Sequence, residues 1–577
     1  MISFKKLYIF SYLRLQQEVP VEAKIVSLQP KQNIMLRYIL LYLLIVSGGM
    51  IYATDLRPAI QYFIENKPEG SRYEVDREFM YSSQVMPRFY TGRGFRPAWI
   101  EGEALSKNGL EMLNYIRRMD EHGLRPQDYH LQLIEKYVAG LISFKTPDEQ
   151  KLVHLDILLT DAFLLLGSQM YFGKVDPHKE GADWKIQRKE PGLKLDVKLE
   201  RALYNNNVAM VLDSLQPRQA SYKVLKQKLA FLRSLGENDW PVLRLSGSLK
   251  PGGAETVVID IRRRLKQLGY PITDTMSDVY DNDLERYVKV FQYERGLGAD
   301  GVIGKGTLAA LNRKPEELAD DVRVNMERLR WLPINKPERF ILVNIANFEL
   351  DLLDRDDTII NMRAIVGKEY RKTPVFNRQM TYLVFSPTWT VPPTILRNDV
   401  IPELLKGPDY LKQKNMVLLR ADGSEVAWAD VDWSKVSKRN FPFTVRQNPG
   451  PDNALGRVKF MFPNEYNVYI HDTPTKGLFS KEGRAFSSGC VRVEQPFELT
   501  QLLLTDMPDW TSERIREAMN RDKEQRVNLK SPIDVVLIYL TAWSDGNNRV
   551  HFRNDIYKRD EMVLQALNQK PTRRQIR

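Results

Sequence analysis

Near Trp331 the hydrophobic period of the chain changes, and the change sets what its two halves can fold into. Upstream, Val258, Ile261, Leu265 and Leu268 advance by three, four and three residues, which keeps them on one face of a helix. Downstream, 340–346 and 348–353 alternate as half-buried strands do. Further strand candidates are Tyr382–Trp389, Val458–Phe462, Val468–Ile470, Val491–Val493, Val535–Leu540 and Val550–Phe552. Short strands between turns predict a mostly β domain of sandwich or barrel type. The whole is expected to be a multidomain α+β protein.

The 577 residues suggest three to four domains. Residues 54–240 read as a helical scaffold domain. In it, Thr146-Pro147-Asp148-Glu149 forms a capping box before a long helix with apolar residues on most faces, which predicts burial. His154 and Asp161 on that helix lack the i,i+4 spacing of a metal pair and are read as structural. Residues 247–313 form a compact three-helix unit, 314–336 a helical linker, 337–560 the β domain and 561–577 a tail. Within the β domain the strand rhythm breaks over about 390–455. An insertion this long is expected to act as a capping subdomain or lid.

The ends carry other information. From Met35 one Arg, an apolar run (Tyr38–Val46) and a small residue at Ala53 follow the order of a secretory signal peptide. The uncharged span Tyr38–Ala53 is sixteen residues, short of the roughly 20 a spanning helix needs. Residues 1–53 are thus read as an upstream extension plus signal peptide, with translation starting naturally at Met35. An uncleaved signal anchor is the other reading, and only it would hold the protein at a membrane. The net charge of +12 falls to +8 without this segment, which carries six Lys or Arg and two Glu. A basic protein favours an acidic partner: anionic lipid, a carboxylate-bearing polymer or, last for want of a dense basic run with aromatics, nucleic acid.

Cys490 is the only cysteine, which excludes an intramolecular disulfide framework. His471, one of six histidines, lies nineteen positions before it. A thiol needs a partner that lowers its pKa or takes its proton, and imidazole is the usual one. His471 ends a short strand, and Cys490 follows the small-residue turn Ser487-Ser488-Gly489. Glycine before a nucleophile lets backbone N–H groups turn towards a reacting carbonyl. No metal or cofactor is expected, since CxxC and HExxH patterns are absent.

His471-x18-Cys490 with Ser-Ser-Gly-Cys-Val-Arg resembles the catalytic motif of the L,D-transpeptidases, the YkuD-type domain. The likeness extends through Val366-Gly367, Thr373-Pro374-Val375-Phe376, Ser386 to Pro393, Asp452 to Gly456, and Phe552 to Tyr557. The unit at 247–313, with Phe291-Gln292, Gly296-Leu297 and Asp300-Gly-Val-Ile-Gly304, resembles a small peptidoglycan-binding domain. Together they resemble the large multidomain YcbB-like subgroup. Many family members have a second histidine where this chain has Ser488, but the subgroup shares that departure.

The resemblance implies a mechanism. His471 is the general base and Cys490 the nucleophile, attacking the third-position diaminopimelate carbonyl of a tetrapeptide stem and releasing D-Ala. The amine of a second stem resolves the thioester into a 3→3 crosslink. The backbone carbonyl of Asp472 orients His471, and the N–H groups of Gly489 and Cys490 hold the oxyanion. Arg492 is a candidate for a substrate carboxylate or a structural salt bridge. Ser488, Trp389 and Tyr469 are expected to contact substrate. Peptidoglycan tetrapeptide stems are the implied partners, carbapenem-type β-lactams the implied inhibitors, and the periplasm of a Gram-negative bacterium the implied location. A lipoprotein lysine or water in place of the second stem would make an anchoring enzyme or a carboxypeptidase. A non-catalytic wall-binding scaffold would have no need of the pair.

Overall fold

Helix α1 (Glu149–Phe172) is the axis of the N-terminal region. The computed structural model that contains it describes residues 55–67, 71–143, 148–178, 183–186, 192–236, 240–333, 336–355 and 357–571. The segment read as a signal peptide, Thr146 and Pro147 lie outside the described residues. Asp148 opens the helix, its carboxylate accepting from Gln150 N at 3.0 Å. The all-round apolar sequence has its expected consequence, since nearly every residue from Leu152 to Met170 is buried. Among the described residues this helix is long and apolar enough to cross a membrane, but it lies inside the scaffold core.

Two buried acids on α1 collect donors from the surrounding loops. Asp156 accepts from Ala98 N, Trp99 N and Tyr90 OH. Asp161 accepts from Ser82 N at 2.6 Å and pairs with His130 Nε2 at 2.8 Å. His130 Nδ1 also meets Glu78 at 2.6 Å. Burial works against its charge, but the bonds to Asp161 and Glu78 outweigh it and raise its pKa to about 9. The acids are structural, as read for Asp161, and His154 hydrogen-bonds Tyr137 OH at 3.2 Å.

The three-helix unit follows as Val257–Gln267, Asn282–Glu294 and Lys305–Asn312. Helix α2 (Pro315–Trp331) then runs between the scaffold and the C-terminal domain. Its last turns bury charge in pairs: Arg330 with Glu327 at 2.7 Å and Arg328 with Asp560 at 2.7 Å. The segment read as a tail begins as a helix, Asp560–Asn568, with Val563 and Leu567 buried, and it packs on α2. Residues from Asp55 onward form one compact body.

The C-terminal strands are β1 (Arg339–Asn344), β2 (Glu349–Asp354), β3 (Asp357–Gly367), β4 (Phe376–Phe385), β5 (Val458–Met461), β6 (Ile470–His471), β7 (Ala485–Ser487), β8 (Val491–Val493) and β9 (Gln525–Ile538). They pair in the order β7-β3-β8-β6-β5-β4-β9-β1-β2, and β2 also pairs with β3, closing the sheet on itself. Closure removes the open edges of an eight-strand ring. Several strands differ from expectation: β6 starts at Ile470 rather than Val468, β7 is absent from the strand candidates, and three more differ for visible reasons. β4 stops at Phe385 because Ser386 takes φ +41°, a conformation that breaks the ladder. β9 begins ten residues before Val535, through a polar stretch with a register shift between Asn528 and Ile533. β3 escapes the alternation test because its first half is exposed.

The insertion forms a second sheet, pairing Glu425–Val426, Met416–Leu419, Thr444–Gln447 and Trp389–Thr390 in that order. It has its own core, including Val391, Leu404, Leu418 and Val445.

Candidate active site

Strands β6 and β8 run parallel, with Ile470 opposite Val491 and His471 opposite Arg492. Val491 N donates to Tyr469 O at 3.1 Å. Cys490, one residue ahead of β8, therefore lies beside the start of β6. The register brings together two residues that are nineteen apart in sequence.

His471 is 4% exposed. Its Nδ1 lies 2.5 Å from Asp472 O. A carbonyl only accepts, so Nδ1 carries the proton and Nε2 is the basic nitrogen. The Asp472 carboxylate fixes that carbonyl in place by accepting from Arg457 N at 2.8 Å, Thr473 N at 2.7 Å and Lys476 Nζ at 2.5 Å. Gly456 makes room for it at φ +63°, since a Cβ there would stand 2.4 Å from Asp472 Oδ2.

The Cys490 turn is held from within. Ser487 Oγ accepts from Gly489 N at 3.0 Å and donates to Cys490 O at 2.6 Å, while Gly489 takes φ +119°. Thr373 Oγ1 donates to Gly489 O at 2.8 Å and accepts from Gly367 N at 2.9 Å. Tyr557 OH closes the clamp, donating to Gly367 O at 2.6 Å and accepting from Thr373 N at 3.1 Å. This differs from the expectation for Gly489, whose N–H is already committed to Ser487 Oγ. The Cys490 N–H has no hydrogen-bond partner among the described residues and remains available to an oxyanion.

The half-exposed thiol points towards Asn467 O, 3.8 Å from Sγ. Tyr469 stands at the centre of the site. Its hydroxyl is close enough to Cys490 and Trp389 to interact with both, its ring meets that of His471 edge-on at 5.5 Å, and Lys459 Nζ sits 4.0 Å above its face. Trp389 belongs to the sheet of the insertion, so the insertion reaches the nucleophile's neighbour. Ser488 Oγ accepts from Arg371 Nη1 at 2.8 Å.

Two cations flank the pair, and neither forms an ion pair among the described residues. Arg492 approaches only Thr475 Oγ1, at 3.5 Å, and its buried Nε has no partner. Lys459 lies opposite His471 in the β5–β6 register. Sequence reasoning passed over Lys459, because only strand pairing shows what it faces. Thr373 and Tyr557 stood in recognisable motifs, but their joint grip on Gly367 and Gly489 required the fold.

Burial pushes the Cys490 thiol up, against hydrogen bonds from Tyr469 and the charges of Lys459 and Arg492, which pull it down. Burial likewise moves His471 down to about 3, helped by the Arg492 and Lys459 charges and opposed by the Asp472 and Leu455 carbonyls. The resting pair is therefore a neutral thiol and a neutral imidazole. A lowered pKa means the ring protonates only as pH falls through about 3, so the base stays competent across the neutral and mildly acidic range. NMR of the His471 ring is expected to show the neutral form from pH 8 down to pH 4.5 (roughly a pH unit and a half above that midpoint). A midpoint near 6.5, the ordinary value, would contradict the burial argument.

Three segments match known family models: 84–229 a scaffold domain, 255–311 a "Putative peptidoglycan binding domain", and 338–515 the L,D-transpeptidase catalytic domain, YkuD. A Haemophilus influenzae protein named "Putative L,D-transpeptidase" is 35% identical over 250 residues, covering 43% of this chain and 50% of that protein. The chain thus matches about half the length of that relative. A crystal structure of an L,D-transpeptidase from Stackebrandtia nassauensis is 15% identical, covering 50% of this chain and 94% of that one at a TM-score of 0.21. One from Xylanimonas cellulosilytica is 14% identical, covering 51% and 99% at a TM-score of 0.16. Nothing is built on overlaps this loose. The family matches coincide with the helical scaffold, the three-helix unit and the sheet that holds Cys490 and His471: the chain carries a YkuD-type L,D-transpeptidase catalytic domain, with a scaffold domain and a peptidoglycan-binding domain ahead of it.

Proposed function

We propose that this protein is an exported L,D-transpeptidase of the large YcbB-like subgroup, which builds 3→3 diaminopimelate crosslinks in periplasmic peptidoglycan. The observation that carries the proposal is a free thiol beside a neutral, carbonyl-oriented imidazole, flanked by two cations without ion pairs. Nε2 of His471 takes the Cys490 proton as Sγ attacks the diaminopimelate carbonyl. The negative charge moves to the carbonyl oxygen, where the Cys490 N–H and the positive field of Lys459 and Arg492 favour it. One oxyanion donor is worth about 10²–10³ in rate. Collapse breaks the bond to D-Ala, whose nitrogen takes the proton back from His471 and leaves a thioester. The side-chain amine of a second stem then attacks, His471 takes its proton, and the proton returns to the released thiol.

The polymer's carboxylates suit unpaired guanidinium and ammonium groups. Arg492 is assigned to a donor carboxylate, with Tyr469, Trp389 and Ser488 lining the approach. Arg492→Ala is expected to raise KM for a disaccharide-tetrapeptide by about 10- to 100-fold, the loss of one charge-assisted hydrogen bond. A fall in melting temperature with KM unchanged would give Arg492 a structural role instead. The acyl-enzyme itself is tested by intact-mass analysis after mixing with a carbapenem. An adduct is expected on the wild type and not on Cys490→Ala, and an unmodified wild-type protein would count against an accessible nucleophile.

A further inference from the structure

Just past the end of β3, the 3₁₀ turn Glu369–Arg371 presents Tyr370 to solvent, 73% exposed. A single exposed aromatic is ordinary by itself; what sets this one apart is that its backbone is held firmly beside the nucleophile turn. Lys368 N donates to Ser487 O at 3.0 Å, Arg371 Nη1 to Ser488 Oγ at 2.8 Å, and Thr373 Oγ1 to Gly489 O at 2.8 Å. The segment is therefore fastened to the three consecutive residues before Cys490. On its outer side, Lys558 pairs with Glu369 at 2.7 Å.

That last pair decides the charge of the turn. With Glu369 neutralised, two cations remain around the aromatic ring: Lys368 Nζ 5.7 Å and the Arg371 guanidinium 5.8 Å from its centroid. Lys368 forms no ion pair among the described residues. Arg371 has only a loose one, 3.5 Å to Asp399 of the insertion. An exposed ring with cations beside it offers an apolar face and a place for a carboxylate, as a peptide with a free acid group requires.

We infer that Lys368, Tyr370 and Arg371 form a recognition platform for a stem peptide of the polymer, with the peptide's apolar surface on Tyr370 and its carboxylate between the two cations. This inference rests on the reading of the chain as a peptidoglycan transpeptidase. It adds a contact surface beside Ser488, separate from Arg492 and Lys459. Because the platform is bonded to the nucleophile turn, a stem held there is in fixed register with Cys490. Arg371 keeps its bond to Ser488 Oγ, and the loose pairing with Asp399 is the one that gives way as a stem carboxylate arrives.

The test is calorimetric binding of a disaccharide-tetrapeptide to the full chain carrying Cys490→Ala, so that nothing turns over. Adding Tyr370→Ala or Lys368→Ala is expected to weaken binding at least about fivefold each, and Tyr370→Phe is expected to keep the affinity. In parallel, alkylation of Cys490 by iodoacetamide is measured in the Tyr370→Ala chain with the native cysteine. Weaker binding with an unchanged alkylation rate supports the platform. Equal affinity in both alanine variants overturns it, as does weaker binding accompanied by altered alkylation, which would mean a distorted turn. Failure of the parent Cys490→Ala chain to bind the muropeptide at all would instead overturn the transpeptidase reading, and the platform with it.

Discussion

Replacing Cys490 with alanine is expected to lower turnover by at least about 10⁴-fold, the scale seen when a catalytic unit loses its nucleophile. The fold should survive the change. The sulfur makes one long bond, 3.8 Å to Asn467 O, and shares the Tyr469 hydroxyl, while the turn around it is held by Ser487, Gly489 and Thr373. Removing one half-exposed sulfur leaves that clamp intact, so the melting temperature should move little. His471→Ala should cost nearly as much activity, since a neutral thiol needs a base to take its proton and His471 is the imidazole that the β6–β8 register places next to it. The double variant should then be hardly worse than either single one, because the two side chains act as a unit. Turnover of a muropeptide and thermal unfolding, measured on all three, check the pattern. Additive losses would mean that the pair does not share one step.

Gly367→Ala is expected to be the most damaging small change away from the thiol. The reason is space, since this glycine is not among those with positive φ. A Cβ built there stands 2.1 Å from Arg371 O, 2.8 Å from Thr373 N and 3.1 Å from Gly489 Cα. All three are main chain and cannot swing aside. Overpacking of this kind costs about 1–3 kcal/mol, occasionally more, and this case belongs at the upper end. The strain would fall on the Gly367–Thr373–Gly489 clamp and so displace the nucleophile turn. A misplacement near 1 Å can reduce rate about 10²-fold. Both the melting temperature and the acylation rate should therefore drop. Gly477→Ala serves as the comparison: its Cβ would meet nothing within 4 Å, and its stability should stay within about 0.5 kcal/mol of wild type.

Periodicity was enough to read the division into helical and β halves, because helix and strand impose different spacings on buried residues. It also predicted the burial of α1, whose apolar residues leave no polar face. What periodicity missed was set by pairing. β3 and the start of β9 are polar where they face solvent, so neither shows alternation, and the closure of the sheet through β2 and β3 leaves no local mark. At the site, His471 and Cys490 stood out because both residue types are rare here and their motif was recognisable. Asp472 could be named only for its carbonyl; the carboxylate that holds that carbonyl still depends on Arg457, Lys476 and the space at Gly456. The Gly489 N–H looked free in a row of small residues, and only the fold shows Ser487 Oγ accepting from it. Lys459 and the exposed Tyr370 became meaningful once their neighbours across strands and turns were known.

The most direct test of the account is to incubate the protein with disaccharide-tetrapeptides and to analyse the products by mass spectrometry. The account predicts a dimer lacking one D-Ala, formed by wild type and absent with Cys490→Ala. Free tripeptide without dimer, or a dimer that still forms when Cys490 is alanine, would contradict it.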